Sequence, residues 1–222
     1  MNDLYDSLVH DEGYLKVFRD MLILGVAGTN GAGKDSLMDL LRDVGFLVYN
    51  TSDHLREVAR ASLGSTDRGG NDSPMGRVGN AERTRYPGGM VELGLIDWWA
   101  RASHLPDDLR PRGLVIGSIR GTGEVERLHL VGGRLILIDA DPRVRYERIT
   151  GRSRTDELGQ SFADFMSKET AEMAVGQTDP TKFGMDAVIK AADIVVQNNG
   201  TLAEFPEKVK QTLHQHGIDL SL

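Results

Sequence analysis

The chain predicts a three-layer α/β fold with a parallel sheet covered on both faces, and three observations carry that reading. Met21–Ala27 (MLILGVA) is an unbroken apolar run of strand length, as a strand buried on both faces requires. Short apolar stretches then alternate with helical patterns along most of the 222 residues. Finally, residues 21–49 form one strand–helix–strand unit, which implies a parallel pair with a right-handed crossover.

Residues 3–20 carry scattered apolar positions broken by Gly13 and predict a short helix or loose extension. After the first strand comes a glycine-rich turn from Gly28 to Gly33 (GTNGAG). Leu37, Leu40, Leu41 and Val44 then recur on one helical face, and Gly45 stands where that helix would end. Phe46–Tyr49 is the second strand candidate. Gly113–Ile119, Arg134–Ala140 and Asp193–Gln197 complete the set. Helical patterns occupy roughly 53–63, 90–104, 122–130, 142–151, 161–175 and 201–215. Thr201 and Glu204 have the spacing of a capping box at the start of the last one. Residues 64–89 are rich in glycine and poor in apolar side chains, and predict a long functional loop.

Composition narrows the chemistry. A net charge of −7 gives no broad basic field for a nucleic-acid polymer. The absence of cysteine excludes disulfides, thiolate metal sites and cysteine nucleophiles. The apolar runs are too short to span a bilayer, and the acidic first residues do not resemble a basic secretory signal. A cytoplasmic enzyme or binding protein, with no membrane partner, is the expectation. The sequence leaves the oligomeric state open.

The glycine-rich turn runs into Lys34, so that Gly28 to Lys34 matches G-x-x-x-x-G-K. Glycines let successive amides converge on phosphate oxygens. The following helix N-terminus adds partial positive charge. Lys34 reaches β- and γ-phosphates, and Ser36 is a candidate Mg²⁺ ligand. Asp35 stands where the strict pattern has a hydroxyl, so the hydroxyl falls one residue later. Backbone and side chains of Thr29, Asn30, Gly31, Ala32, Gly33, Lys34, Asp35 and Ser36 therefore form the expected nucleotide cradle. The D-x-x-G and N-K-x-D elements of a GTPase are both missing.

The order of segments resembles the small P-loop kinases, the superfamily of nucleoside monophosphate kinases and dephospho-CoA kinase, and within it an adenylate-kinase-like subgroup. The resemblance is carried by GTNGAGKDSL, NTSDHLREVAR (50–60), VIGSIRGTGEVERL (115–128), LIDADPRVRYERITGRSR (137–154), FADFMSKETAEM (162–173) and AADIVVQNNGTLAEF (191–205). It implies strand order 2-3-1-4-5, one kinase domain over 1–222, an acceptor-side loop and helix at 64–105, and a lid at 145–175. It also implies ATP and Mg²⁺ as cofactors and a small nucleotide-like acceptor.

Site residues follow from the same segments. Asp53, after the second strand, is a candidate general base or Mg²⁺ ligand, with a helix cap as the alternative. Arg56, Arg83, Arg85 and Arg120 are candidates for the acceptor's phosphate, Arg120 at the end of the third strand. Arg145, Arg148 and Arg152 share one helical face, and Arg152 and Arg154 are the expected lid cations. Asn199 and Gly200, after the fifth strand, are expected beside the adenine through backbone contacts. Related kinases often end the third strand in a carboxylate that supports Mg²⁺. Here Gly117 and Ser118 stand instead, leaving Asp53 or Glu124 for that role. Trp98 and Trp99 read as core.

Overall fold

The computed structural model describes residues 12–67, 71–85, 88–151 and 160–221. Five parallel strands, β1 (Leu22–Ala27), β2 (Leu47–Asn50), β3 (Gly113–Gly117), β4 (Arg134–Asp139) and β5 (Ile194–Gln197), form one sheet in the order β2-β3-β1-β4-β5. The helices are α1 (Glu12–Arg19), α2 (Lys34–Asp43), α3 (Thr51–Leu63), α4 (Pro74–Arg85), α5 (Gly89–Ala102), α6 (Thr122–Leu130), α7 (Pro142–Thr150), α8 (Phe162–Met173), α9 (Met185–Lys190) and α10 (Phe205–Gln215).

The apolar run of β1 is explained by its place at the centre, paired with β3 on one side and β4 on the other. Its side chains alternate between two cores. Ile23 and Ala27 pack with Leu95, Ile116 and Leu128 under α5 and α6. Leu24 and Val26 pack with Leu37, Leu41, Val209 and Leu213 under α2 and α10. A third, smaller cluster of Leu55, Ala59, Val78 and Met90 joins α3, α4 and α5 beyond the sheet edge. Trp98 lies in the first core, its ring edge-on to Phe18 of α1 at 5.6 Å.

Four local expectations need correction. First, residues 64–89 are not one long loop, because they contain α4. Ser73 caps it, its Oγ accepting from the Gly76 amide at 3.0 Å, and Pro74 opens it. Its buried positions are Gly76, Val78, Gly79, Asn80 and Arg83, so the face that packs carries almost no apolar periodicity. Second, β3 ends at Gly117, before Ser118, whose φ of +66° turns the chain out of the strand. Third, α9 forms where no helix was expected. Fourth, Thr201 and Glu204 do bond each other reciprocally, Thr201 N to Glu204 Oε2 at 2.8 Å, but the helix starts only at Phe205, with Pro206 in its first turn.

Candidate active site

The loop between β1 and α2 is held open by its glycines. Gly31 and Gly33 have φ of +80° and +110°. A Cβ on Gly33 would lie 2.4 Å from Asn198 Nδ2, and one on Gly31 would lie 2.7 Å from the Arg145 carbonyl. The loop thus fits against α7 and the β5–α10 turn only without side chains. Asn198 fixes it further, Nδ2 donating to the Ala32 carbonyl at 2.7 Å. Gly33 is the N-cap of α2 and supplies no side chain to cover the first-turn amides. That end of the helix is built to meet an anion. Lys34 arches back over the loop, Nζ donating to the Thr29 carbonyl at 2.9 Å. Asp35, exposed in the first turn, complements the helix dipole.

A cavity of about 420 Å³ opens over this loop. Asn30, Gly31, Gly33, Lys34, Asp35 and Ser36 form its floor, and Ser52, Arg56, Ser118 and Arg120 one wall. Arg148, Gly151, Asn198 and Leu202 form the other. Arg148 Nη2 donates to the Gly200 carbonyl at 2.8 Å, which ties α7 to the β5–α10 turn. A second, smaller pocket of about 40 Å³ adjoins the first, with Ser52, Ser118 and Arg120 lining both. Its other walls include Thr51, Leu55, Arg83, Glu172 and Phe183.

Charge in the smaller pocket is paired. Arg120 Nη1 donates to Glu172 Oε2 at 3.1 Å, and its guanidinium lies 5.1 Å from the centre of the Phe183 ring. Arg83 lies 6.0 Å from the same ring, and its Nε is 3.2 Å from Glu124 Oε1. Glu124 also accepts from the amides of Arg120 and Gly121 at 2.8 Å each and from that of Met90 at 3.3 Å.

The structure brings Asn30, Gly31, Gly33, Lys34, Asp35, Ser36, Arg56, Arg120 and Arg148 to the larger cavity and Arg83 to the adjoining pocket, while Thr29 and Ala32 are buried within the loop and line neither. It does not bring the others there. Asp53 is turned outward, its side chain 67% exposed, where it pairs with Arg56 and accepts from Asn50 Nδ2 at 3.0 Å. The reason is the start of α3 directly at Thr51. Thr51 points inward, Oγ1 donating to the Gly117 carbonyl at 2.8 Å, and Asp53, two residues on, rotates to the opposite side. Nor is Asp53 the cap, because Asn50 Oδ1 accepts from the Ser52 amide at 3.2 Å. Glu124 is spent on the backbone around Arg120, as described. Arg85 is exposed at the end of α4 and lines neither cavity. Asn199 caps a turn instead of facing the cavity, its Oδ1 accepting from the Asp141 amide at 2.7 Å. Arg145 is buried away from the cavity, paired through both Nη atoms with Glu169 of α8, and its Nε donates to the Ala140 carbonyl at 2.7 Å. Arg152 and Arg154 lie outside the described residues.

Ser118, Asn198, Glu172 and Phe183 complete the site without having been marked as ligand-facing by sequence. The residue before Ser118 has no room for a carboxylate, because a Cβ on Gly117 would lie 2.2 Å from Met38 Sδ. Mg²⁺ beside a nucleotide takes most of its oxygens from phosphate and water. The Ser36 hydroxyl in the cavity floor fits that arrangement, with Ser52 and Ser118 offering further oxygens. Asp53, exposed and paired, does not. Among the described residues no cluster of three His, Asp or Glu is gathered to bind a metal alone. Asp53→Asn leaves the midpoint of a thermal melt within about 4 °C of wild type, since an exposed pair contributes only about 0–1 kcal/mol.

This combination of a 2-3-1-4-5 parallel sheet, helices on both faces and a phosphate loop leading into a helix defines the fold of the P-loop kinases. Shikimate kinase from Bacteroides thetaiotaomicron superposes with a TM-score of 0.50 over 89% of this chain and 99% of its own, at 14% identity. No family model matches the chain. A UPF0200 protein from Hyperthermus butylicus is 30% identical over 195 residues, 86% of this chain and 93% of that one. Another, from Methanoregula boonei, is 27% identical over 197 residues, 87% of this chain and 97% of its own. The chain belongs to the UPF0200 family. Among the described residues no helix is long and apolar enough to cross a membrane.

Proposed function

We propose that this chain is an ATP-dependent small-molecule phosphotransferase that moves the γ-phosphate of MgATP to a nucleotide or nucleotide-like acceptor. One observation carries the reading. The amide-lined loop opens into a cavity that continues past Arg120 into a second pocket, so donor and acceptor sites meet at Ser52, Ser118 and Arg120. Transfer of this kind needs positioning and charge neutralisation more than covalent chemistry.

In this reading the α2 amides and Lys34 hold the polyphosphate, and Arg148 flanks it from α7. Ser36 would hold Mg²⁺, which when bound neutralises charge on the β- and γ-phosphates. Arg120 sits where the transferred group would pass. Residues 145–175 act as the lid, with Arg152 closing on the phosphates, and 64–105 act as the acceptor side, including Arg83. Arg56 serves the acceptor rim once released from Asp53. A cytoplasmic setting fits the cysteine-free composition.

The test is transfer of label from [γ-³²P]ATP to deoxynucleoside monophosphates and to dephospho-CoA. Labelled product from either acceptor class supports the reading. The carboxylate-free end of β3 favours one alternative, an ATP-binding regulator. ATP bound tightly with no labelled product and no phosphate release would establish that instead.

A further inference from the structure

Glu172 stands in an unusual place for a carboxylate. It lies near the end of α8, is buried, and lines the small pocket. Its partner Arg120 lines both cavities. The pocket is firmly built around the pair. Asn71 brackets the Phe183 backbone, Nδ2 donating to the Phe183 carbonyl at 3.2 Å and Oδ1 accepting from its amide at 3.1 Å. Asn80 Oδ1 accepts from the same amide at 3.1 Å. The Arg120 carbonyl accepts from Gly184 N at 2.9 Å. The Phe183 ring is thereby held close to both Arg83 and Arg120.

Two features bear on what the pocket takes. Its volume is about 40 Å³. Where one water needs about 10–15 Å³, that is room for one small functional group. Among the described residues its charges also balance, Arg83 against Glu124 and Arg120 against Glu172. A phosphate acceptor brings about −1.5 to −2 charges at neutral pH. It would need arginines in surplus, and would meet a buried carboxylate instead. A hydroxyl has the opposite needs. It brings no charge and must lose a proton, which a carboxylate can accept.

We infer that the group phosphorylated is a hydroxyl and that Glu172 is the base that receives its proton. This rests on the phosphotransferase reading and selects between its two acceptor chemistries. The hydroxyl oxygen forms a bond to the γ-phosphorus of ATP. The bond from that phosphorus to the β–γ bridging oxygen breaks, and its electron pair leaves on ADP. The hydroxyl proton passes to the Glu172 carboxylate and then to solvent. Arg120 orients the carboxylate and faces the transferring phosphoryl group from the donor side.

The experiment uses the full chain with MgATP and two probe sets: AMP, CMP and dAMP against dephospho-CoA, ribose and glycerol, with water as the background hydroxyl. The expected result is label on a hydroxyl compound and no nucleoside diphosphate made from a monophosphate. Glu172→Gln lowers that turnover about 10²-fold or more, the scale of general-base catalysis, with ATP bound at least as tightly as by the wild type. The same variant binds inorganic phosphate about tenfold more tightly by calorimetry, because Arg120 loses its counter-charge. A Glu172 that merely paired with Arg120 would give that gain without the loss of turnover.

Conversion of a monophosphate to a diphosphate by the wild type overturns the inference and needs no variant. So does a folded Glu172→Gln with unaltered turnover. Failure of the wild type to bind ATP, or ATP bound with no label passed to any probe, would instead remove the phosphotransferase reading beneath it.

Discussion

Glu124→Ala is expected to cost about 3–5 kcal/mol of stability, the scale for breaking a buried ion pair by removing one partner. For a chain of this size that lowers Tm by about 10 °C in a thermal melt. The side chain is fully buried. It receives the amides of Arg120, Gly121 and Met90 and faces Arg83. One carboxylate therefore joins the end of β3, the starts of α5 and α6, and α4. Its loss strands a buried guanidinium and three amides together. Glu124→Gln keeps an oxygen for the amides but removes the charge, and should fall between the two. A Glu124→Ala protein melting within about 2 °C of wild type would show that these four elements hold together by other means.

The largest effect on activity is expected at Lys34. Replacing it by Met should lower turnover of MgATP about 10²–10³-fold, as when one preorganised charge-stabilising donor is lost. Stability should hardly move. Lys34 is half-buried and donates to the Thr29 carbonyl of its own loop, so the loss is expected to stay near about 0.5 kcal/mol. The informative comparison is kcat against nucleotide affinity. A kcat that survives Lys34→Met would mean that the cradle binds nucleotide without contributing charge to transfer.

Much of the fold was legible because its signals are local. The centre strand announces itself by an apolar run that no half-exposed strand could carry, and the phosphate loop lies within nine consecutive residues. The strand order came only from the family resemblance, since periodicity carries no information on which strands are neighbours. Helix α4 was hidden because it buries glycines, Asn80 and Arg83 in place of a stripe of leucines. Asp53 was misplaced for a related reason. A position after a strand fixes where a residue sits, but its direction depends on the residue at which the next helix begins. The smaller pocket was the least legible part. It draws on α3, α4, the turn after β3, the end of α8 and the loop before α9, and no short window of sequence contains two of its charged members.

The two tryptophans of the chain are adjacent on α5, with Trp98 in the core shared with α1. Neither borders the cavity over the phosphate loop. Intrinsic fluorescence will therefore report on how the N-terminal helix docks through Phe18. Nucleotide titrations will need an extrinsic fluorophore or a heat signal to be seen at all.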